Sequence, residues 1–296
     1  MDIDIFFKGL SDIFAAGEIS EVSGYLRDAL AAAEAEGDNN AAVTILNEMI
    51  GYFRSVSAYP EAIDASRRAL SLMREMGYAD SVPFGTTLLN AATAYRASGH
   101  RAQALDFFRQ ALAIFRGQLP DDDPRLAGLY NNLSAIHQEN GDLEQARDAL
   151  ERAAAIMAGL GDLAIDLATV YTNLALVLEA LRQPEASASA LNRAMAIFER
   201  EGASAREDGR KAPHFAAALA GFAAARYRMG QYAEAIQMYT EVMERIKECF
   251  GENRDYAVTC RNCAEVCEAA GYSEKARELR ERADAIWRRL GLAGNS

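Results

Sequence analysis

Apolar residues recur along this chain at helical spacing, and the helical pattern itself recurs. Asn90-Ala91-Ala92-Thr93-Ala94-Tyr95, followed by Gly99, Ala104, Phe108 and Ala111, is matched by Asn132-Leu133-Ser134, His137, Gly141, Ala146, Leu150 and Ala153. The asparagine, the glycine and both alanines each move by 42 residues. Further on, Gly230, Ala235 and Tyr239 precede Gly271, Ala276, Leu279 and Ala283, with the glycine and first alanine displaced by 41. A repeat of this length with 3.6-residue periodicity predicts one helix, a glycine turn and a second helix per unit.

Seven such units follow, or about 14 helices. A degenerate first unit runs over 3–37, with Gly17, Val22, Leu26 and Ala29 at turn and second-helix positions. Later units start near 40, 83, 124, 165, 213 and 256, in a single domain spanning 3–291 whose last helix, 273–290, caps the array. All six prolines, at 60, 83, 120, 124, 184 and 213, fall in turns or first helical positions, where a missing N–H costs nothing. Gly230 lies 89 residues after Gly141, about six more than two units. The surplus falls in 201–211, whose small and charged residues predict a surface loop inserted without consequence; a lid is the other reading.

The repeat, with small residues where paired helices touch and a glycine near the turn, resembles the tetratricopeptide repeat. Its period is closest to the long-helix variety of kinesin light chains and bacterial peptide-sensing regulators. The resemblance implies an all-α, right-handed α-solenoid whose first helices line a concave face and whose role is to bind proteins or peptides.

Composition narrows the partners. The net charge of −12 argues against nucleic acid and anionic membranes, both of which need clustered Lys and Arg, and favours a neutral or basic protein or peptide. Residues 1–8 have no positive leader pattern and no apolar run of about 20 residues stands out, so a cytoplasmic location is expected. Oligomeric state is not legible.

The cysteines suggest a metal site, because Cys260, Cys263 and Cys267 at i, i+3 and i+7 share one helix face, with Cys249 just upstream. They occupy positions held by Leu88, Ala91 and Tyr95 in the third unit, so core packing is the preferred reading and neither metal nor cofactor is expected. His100, His137 and His214 lie in different units, and no phosphate loop or nucleophile elbow occurs. A non-enzymatic protein is expected.

One position resists a packing explanation. Asparagine is a mediocre helix former, yet it returns at Asn90, Asn132 (doubled by Asn131), Asn173 and Asn262, with Gly221 interrupting the row. The second unit is ambiguous by one residue between Asn47 and Glu48. A carboxamide can hydrogen-bond both N–H and C=O of an extended peptide, so spaced amides could grip a backbone without reading its side chains. Bridging of adjacent first helices is the alternative. Adding three, six or seven residues to the asparagine gives the flanking candidates Thr93, Arg96, Gln138, Glu139, Glu179, Tyr227, Arg228 and Glu265, with Arg54 and Glu268 beside them. The main expectation is a peptide-binding groove. The alternative is a peptide-responsive bacterial regulator or assembly scaffold that acts through a partner protein.

Overall fold

The computed structural model describes residues 1–16, 18–207 and 212–290. Among them lie fourteen α-helices and no strand: α1 (Ile3–Ala16), α2 (Ile19–Ala35), α3 (Asn39–Ser55), α4 (Tyr59–Glu75), α5 (Val82–Ala97), α6 (Arg101–Gln118), α7 (Pro124–Asn140), α8 (Leu143–Met157), α9 (Ala164–Ala180), α10 (Pro184–Glu207), α11 (Ala212–Arg228), α12 (Tyr232–Phe250), α13 (Arg254–Ala269) and α14 (Ser273–Arg289). The fold class is an α-solenoid of seven helix pairs. The chain divides into two compact units, Met1–Asp121 with α1–α6 and Asp122–Ser296 with α7–α14.

Helix starts are written in the sequence. Asp38, Ser81, Asp123 and Asn253 accept N–H bonds from Ala41, Phe84, Arg125 and Tyr256 at 2.9–3.2 Å, satisfying donors that the first helices leave orphaned. Helix ends turn on residues with positive φ. Gly99, Gly141, Gly230 and Gly271 hold φ of 74–87°, which glycine adopts without penalty. At the same place in the second and fifth units stand Ser57 (φ 64°) and Arg182 (φ 59°), which carry a Cβ into the left-handed region. The turn is held all the same: the Ser57 N–H bonds the Arg54 carbonyl, and the Arg182 N–H bonds the Glu179 carbonyl.

Alanines set the spacing inside each pair. Ala62 and Ala69, Ala104 and Ala111, Ala146 and Ala153, and Ala276 and Ala283 are all fully buried, which lets the helices approach, while Phe108, Leu150 and Tyr239 fill the space between them. Within each compact unit the second helix of a pair packs on the next first helix, as α4 does on α5 and α12 on α13. At the C-terminal end α14 turns Ala276, Ala283, Ile286 and Trp287 inward and leaves its arginines to solvent or to ion pairs such as Arg282–Glu252 (2.6 Å) and Arg280–Glu268 (3.0 Å). This gives the array a wettable end.

Three expectations need correction or limits. Residues 201–207 are helix, not loop, because α10 continues through Glu207; Ala203, Ala205, Glu201 and Arg206 are strong helix formers that outweigh Gly202. Residues 208–211, and with them the question of a lid, lie outside the described residues, as does the turn glycine Gly17. The stretch Gly161–Ala180 is long and apolar enough by length and composition to cross a membrane, although no such run was expected. It is α9 with a short 3-10 turn before it; half of its apolar window is buried, and the helix packs against α8, α10 and α11.

Candidate functional site

The asparagines stand on the first helices, half-buried, and most are already engaged. In the first compact unit Asn47 on α3 donates Nδ2–H to the Val43 carbonyl (3.0 Å) and to Thr87 Oγ1 on α5 (3.0 Å). A carbonyl can only accept, so this bond fixes which way the Asn47 amide faces. Its Oδ1 therefore points at Asn90 and accepts from Asn90 Nδ2 at 2.9 Å. Thr87 is 1% exposed and its hydroxyl lies 3.3 Å from Met73 Sδ, so the amide chain ends in the core between α4 and α5. Asn90 is left with its own Oδ1 and one N–H not bonded to protein among the described residues.

The second compact unit repeats the bond with different neighbours. Asn173 on α9 donates to Asn131 Oδ1 on α7 at 3.1 Å, whereas Asn132 donates within its own helix to the Gly128 carbonyl at 2.8 Å. In both units a residue one place before the repeat asparagine meets the asparagine of the following first helix. That stagger settles the ambiguity of the second repeat: Asn47 corresponds to Asn131, and Glu48 occupies the place of Asn90 and Asn132.

Gly221 is explained by the same stagger. Its partner one place before the repeat asparagine of α9 is Thr172, 3% exposed, and a Cβ on Gly221 would sit 2.6 Å from Thr172 Cγ2. The α9–α11 contact is too close for any side chain there. Asn262 on α13 is half-buried with no protein partner for its amide among the described residues.

The flanking candidates divide. Thr93 bonds its hydroxyl to the Asn90 carbonyl at 2.7 Å, and Arg96 is half-buried on α5. Gln138 is half-buried while Glu139 is exposed at the end of α7. Glu179 and Arg228, expected as separate ligand contacts, form an ion pair at 2.6 Å, so each neutralises the other. Glu268 is likewise held by Arg280 and by the Ser273 hydroxyl. Tyr227 rests against Tyr232 with ring centroids 6.0 Å apart, and Glu265 is exposed on α13. Arg226, at a position held by Phe53, Tyr95, Leu178 and Cys267 in other units, reaches over the following turn to Gln231 Oε1 (2.7 Å) and Glu234 (3.2 Å).

Glu48 stands out on α3 beyond the site residues named from the sequence. It is half-buried, and burial alone, with no charge or hydrogen bond opposing it, pushes its carboxyl above the usual range. Its signal was present as an acidic residue in a row of amides. A cleft of about 460 Å³ between α2 and α4, floored by Leu30, Met49 and Phe53, left no signal, since its walls come from two units of the repeat.

The cysteines are core. Cys260, Cys263 and Cys267 are fully buried among α12, α13 and α14, with Cys260 Sγ 3.4 Å from Met243 Sδ. Burial pushes Cys260 up to about 11 and Cys263 up to about 12, which keeps both as thiols. Cys249 is half-buried, and no cluster of His, Cys, Asp or Glu fit for a metal occurs among the described residues.

Comparison with known proteins agrees with this architecture. The tetratricopeptide repeat model matches residues 40–117, 125–200 and 214–289. Among solved structures, the apo form of RapI is similar over 98% of this chain and 99% of its own, at 13% identity and a TM-score of 0.69. BtubC (BKLC) from P. vanneervenii is similar over 81% of this chain and 94% of its own, at 23% identity and a TM-score of 0.51. No curated protein matches the chain. With three blocks of family match spread over most of its length, on seven helix pairs, the chain belongs to the tetratricopeptide repeat family, whose members are protein-binding scaffolds.

Proposed function

We propose that the first-helix face binds an extended peptide or protein segment by its backbone. One observation supports this reading above others: within the second compact unit Asn132 and Asn173 each direct one amide N–H into the protein and keep an Oδ1 and a second N–H uncommitted among the described residues, and within the first compact unit Asn90 does the same. An amide oriented by its own hydrogen bond is preorganised, so less entropy is lost when it grips a ligand. The remaining acceptor and donor match the N–H and C=O of one peptide residue. Thr93, Arg96, Gln138, Glu139, Tyr227, Asn262 and Glu265 are the candidates for flanking contacts. The partner is a neutral or basic peptide, met in the cytoplasm of a bacterial cell, and the protein acts by binding and not by catalysis.

A phage-displayed library of random peptides with free amino termini supplies the ligand for a test. The best peptide should lose affinity by a factor of about ten or more when Asn132 and Asn173 are both replaced by Ala, with helicity retained. Unchanged affinity in that double variant removes the amide grip.

A further inference from the structure

The first helix keeps an apolar flank that nothing among the described residues covers. Ile5 on α1 is 67% exposed, whereas Ile45, Thr87, Leu129 and Val170, at the same place in the next four first helices, are 0–1% exposed. In those helices the place lies toward the preceding second helix, as the contact of Thr87 with Met73 of α4 illustrates. The last helix solves the matching problem with polar residues. Where α12 carries Tyr239 and, against Cys260 of α13, Met243, α14 carries Arg280 and Asp284, both held in ion pairs. α1 has made no such exchange at Ile5.

Two aromatic residues extend the exposed face. Phe7 and Phe14, 40% and 41% exposed, stand two turns apart on one flank of α1. Phe14 occupies the place of Arg54 and Arg96, so the fold accepts a charged side chain there and does not need an aromatic one. With Ile5 they make three of the eight large hydrophobics exposed among the described residues, gathered on one helix of 14 residues. Between the two flanks lie Lys8 and Asp12, one turn apart, exposed and without an ion pair among the described residues.

We propose that α1 is the contact of a homodimer, the α1 of a second copy packing antiparallel on this face. A twofold axis between antiparallel helices brings like flanks together. With the axis level with Leu10 and Ser11, Phe7 of each copy meets Phe14 of the other and Lys8 of each meets Asp12 of the other. Every contact occurs twice, giving two aromatic pairs and two ion pairs, and Ile5 rests on the last turn of the second α1 at Ala16. A head-to-tail contact has no such match, because it would set Ile5 against Arg280 and Asp284 of α14. The twofold contact also closes, so association stops at two copies. One helix of 14 residues, about 21 Å long, makes a small interface, and a dissociation constant of about 10–100 μM is expected.

Sedimentation velocity of the full chain, from about 1 to about 500 μM, should show monomer giving way to dimer and no larger species. Lys8→Asp and Asp12→Lys should each weaken the dimer about tenfold or more by opposing like charges, and the two together should restore it. Phe14→Arg, which takes the residue of the next two repeats, should leave a monomer with unchanged helicity and thermal unfolding. A chain that stays monomeric throughout, or forms larger species, overturns the proposal. So does a dimer that survives Phe14→Arg and both single reversals, since its contact lies elsewhere, and so does a folded double reversal that fails to restore the dimer. A monomer in which Phe14→Arg weakens a library-selected peptide overturns it as well, by giving the aromatic flank to the ligand.

Discussion

The two compact units use one repeat position in opposite ways. In the first, Asn47 is anchored to a carbonyl, passes its orientation to Asn90, and stands beside Glu48, a carboxylate with no partner. In the second, the Asn131–Asn173 bond is followed directly by the Gly221–Thr172 contact, where the helices close on each other, and the acidic residues Glu179 and Glu268 are already neutralised by Arg228 and Arg280. The same register thus leaves an unpaired carboxylate in one unit and gives a closed helix contact with paired charges in the other. Repeat position alone does not assign function; what the neighbouring helix offers at the stagger does.

The largest expected effect comes from breaking the closed junction. Gly221→Ala drives a Cβ against Thr172 and should destabilise the second unit by about 2 kcal/mol or more, as overpacked cores do. Adding Thr172→Ser removes the clashing methyl and should recover most of that loss in thermal unfolding. Failure of the rescue would mean that the glycine is needed for another reason.

Next in size is the anchored amide. Asn47→Ala removes the donor to Thr87 and the acceptor for Asn90 together and should cost about 1–3 kcal/mol by chemical denaturation. Asn132→Ala removes only a bond within its own helix and should cost well under about 1 kcal/mol, since alanine is the better helix former. Similar losses at both sites would contradict the contrast between inter-helix and local roles.

A gain is expected at the turns. Arg182→Gly, at φ 59°, should stabilise by about 1 kcal/mol because the left-handed conformation no longer strains a Cβ, less whatever the freer unfolded chain takes back. The smallest effect belongs to Glu48. Its carboxyl is raised in the folded state, so the protonated form is favoured there; this contribution is complete below the usual carboxylate range and is lost as pH rises through the raised value. Glu48→Gln should therefore raise the melting temperature by a few degrees at neutral pH and leave it unchanged in acid. Equal melting temperatures at both pH values would show that the carboxylate is not penalised by burial.

Much of the fold could be read from the chain because helical repeats announce themselves locally. Gly99 and Gly141, Ala104 and Ala146 recur at one interval, and each acts within its own helix pair. The site was less legible. Asn90, Asn132 and Asn173 were visible as a row, but their bonds run between residues one place out of register, Asn47 with Asn90 and Asn131 with Asn173. That offset depends on how helices stagger, and no single repeat records it. The interruption at Gly221 was visible and its cause, Thr172, was not, for the same reason. Glu179 and Arg228 read as two ligand contacts because they belong to different repeats, 49 residues apart in the chain. The helix over 201–207 is hard to read from the chain because its small and charged residues suit an exposed helix end as well as a loop.

The central claim, a grip on ligand backbone by spaced amides, is most directly tested by scanning a selected peptide with N-methyl groups and, separately, with alanine. The account predicts that N-methylation abolishes binding at a few spaced residues whose side chains can be cut to alanine without loss. A peptide that tolerates N-methylation throughout, and depends only on its side chains, would contradict it.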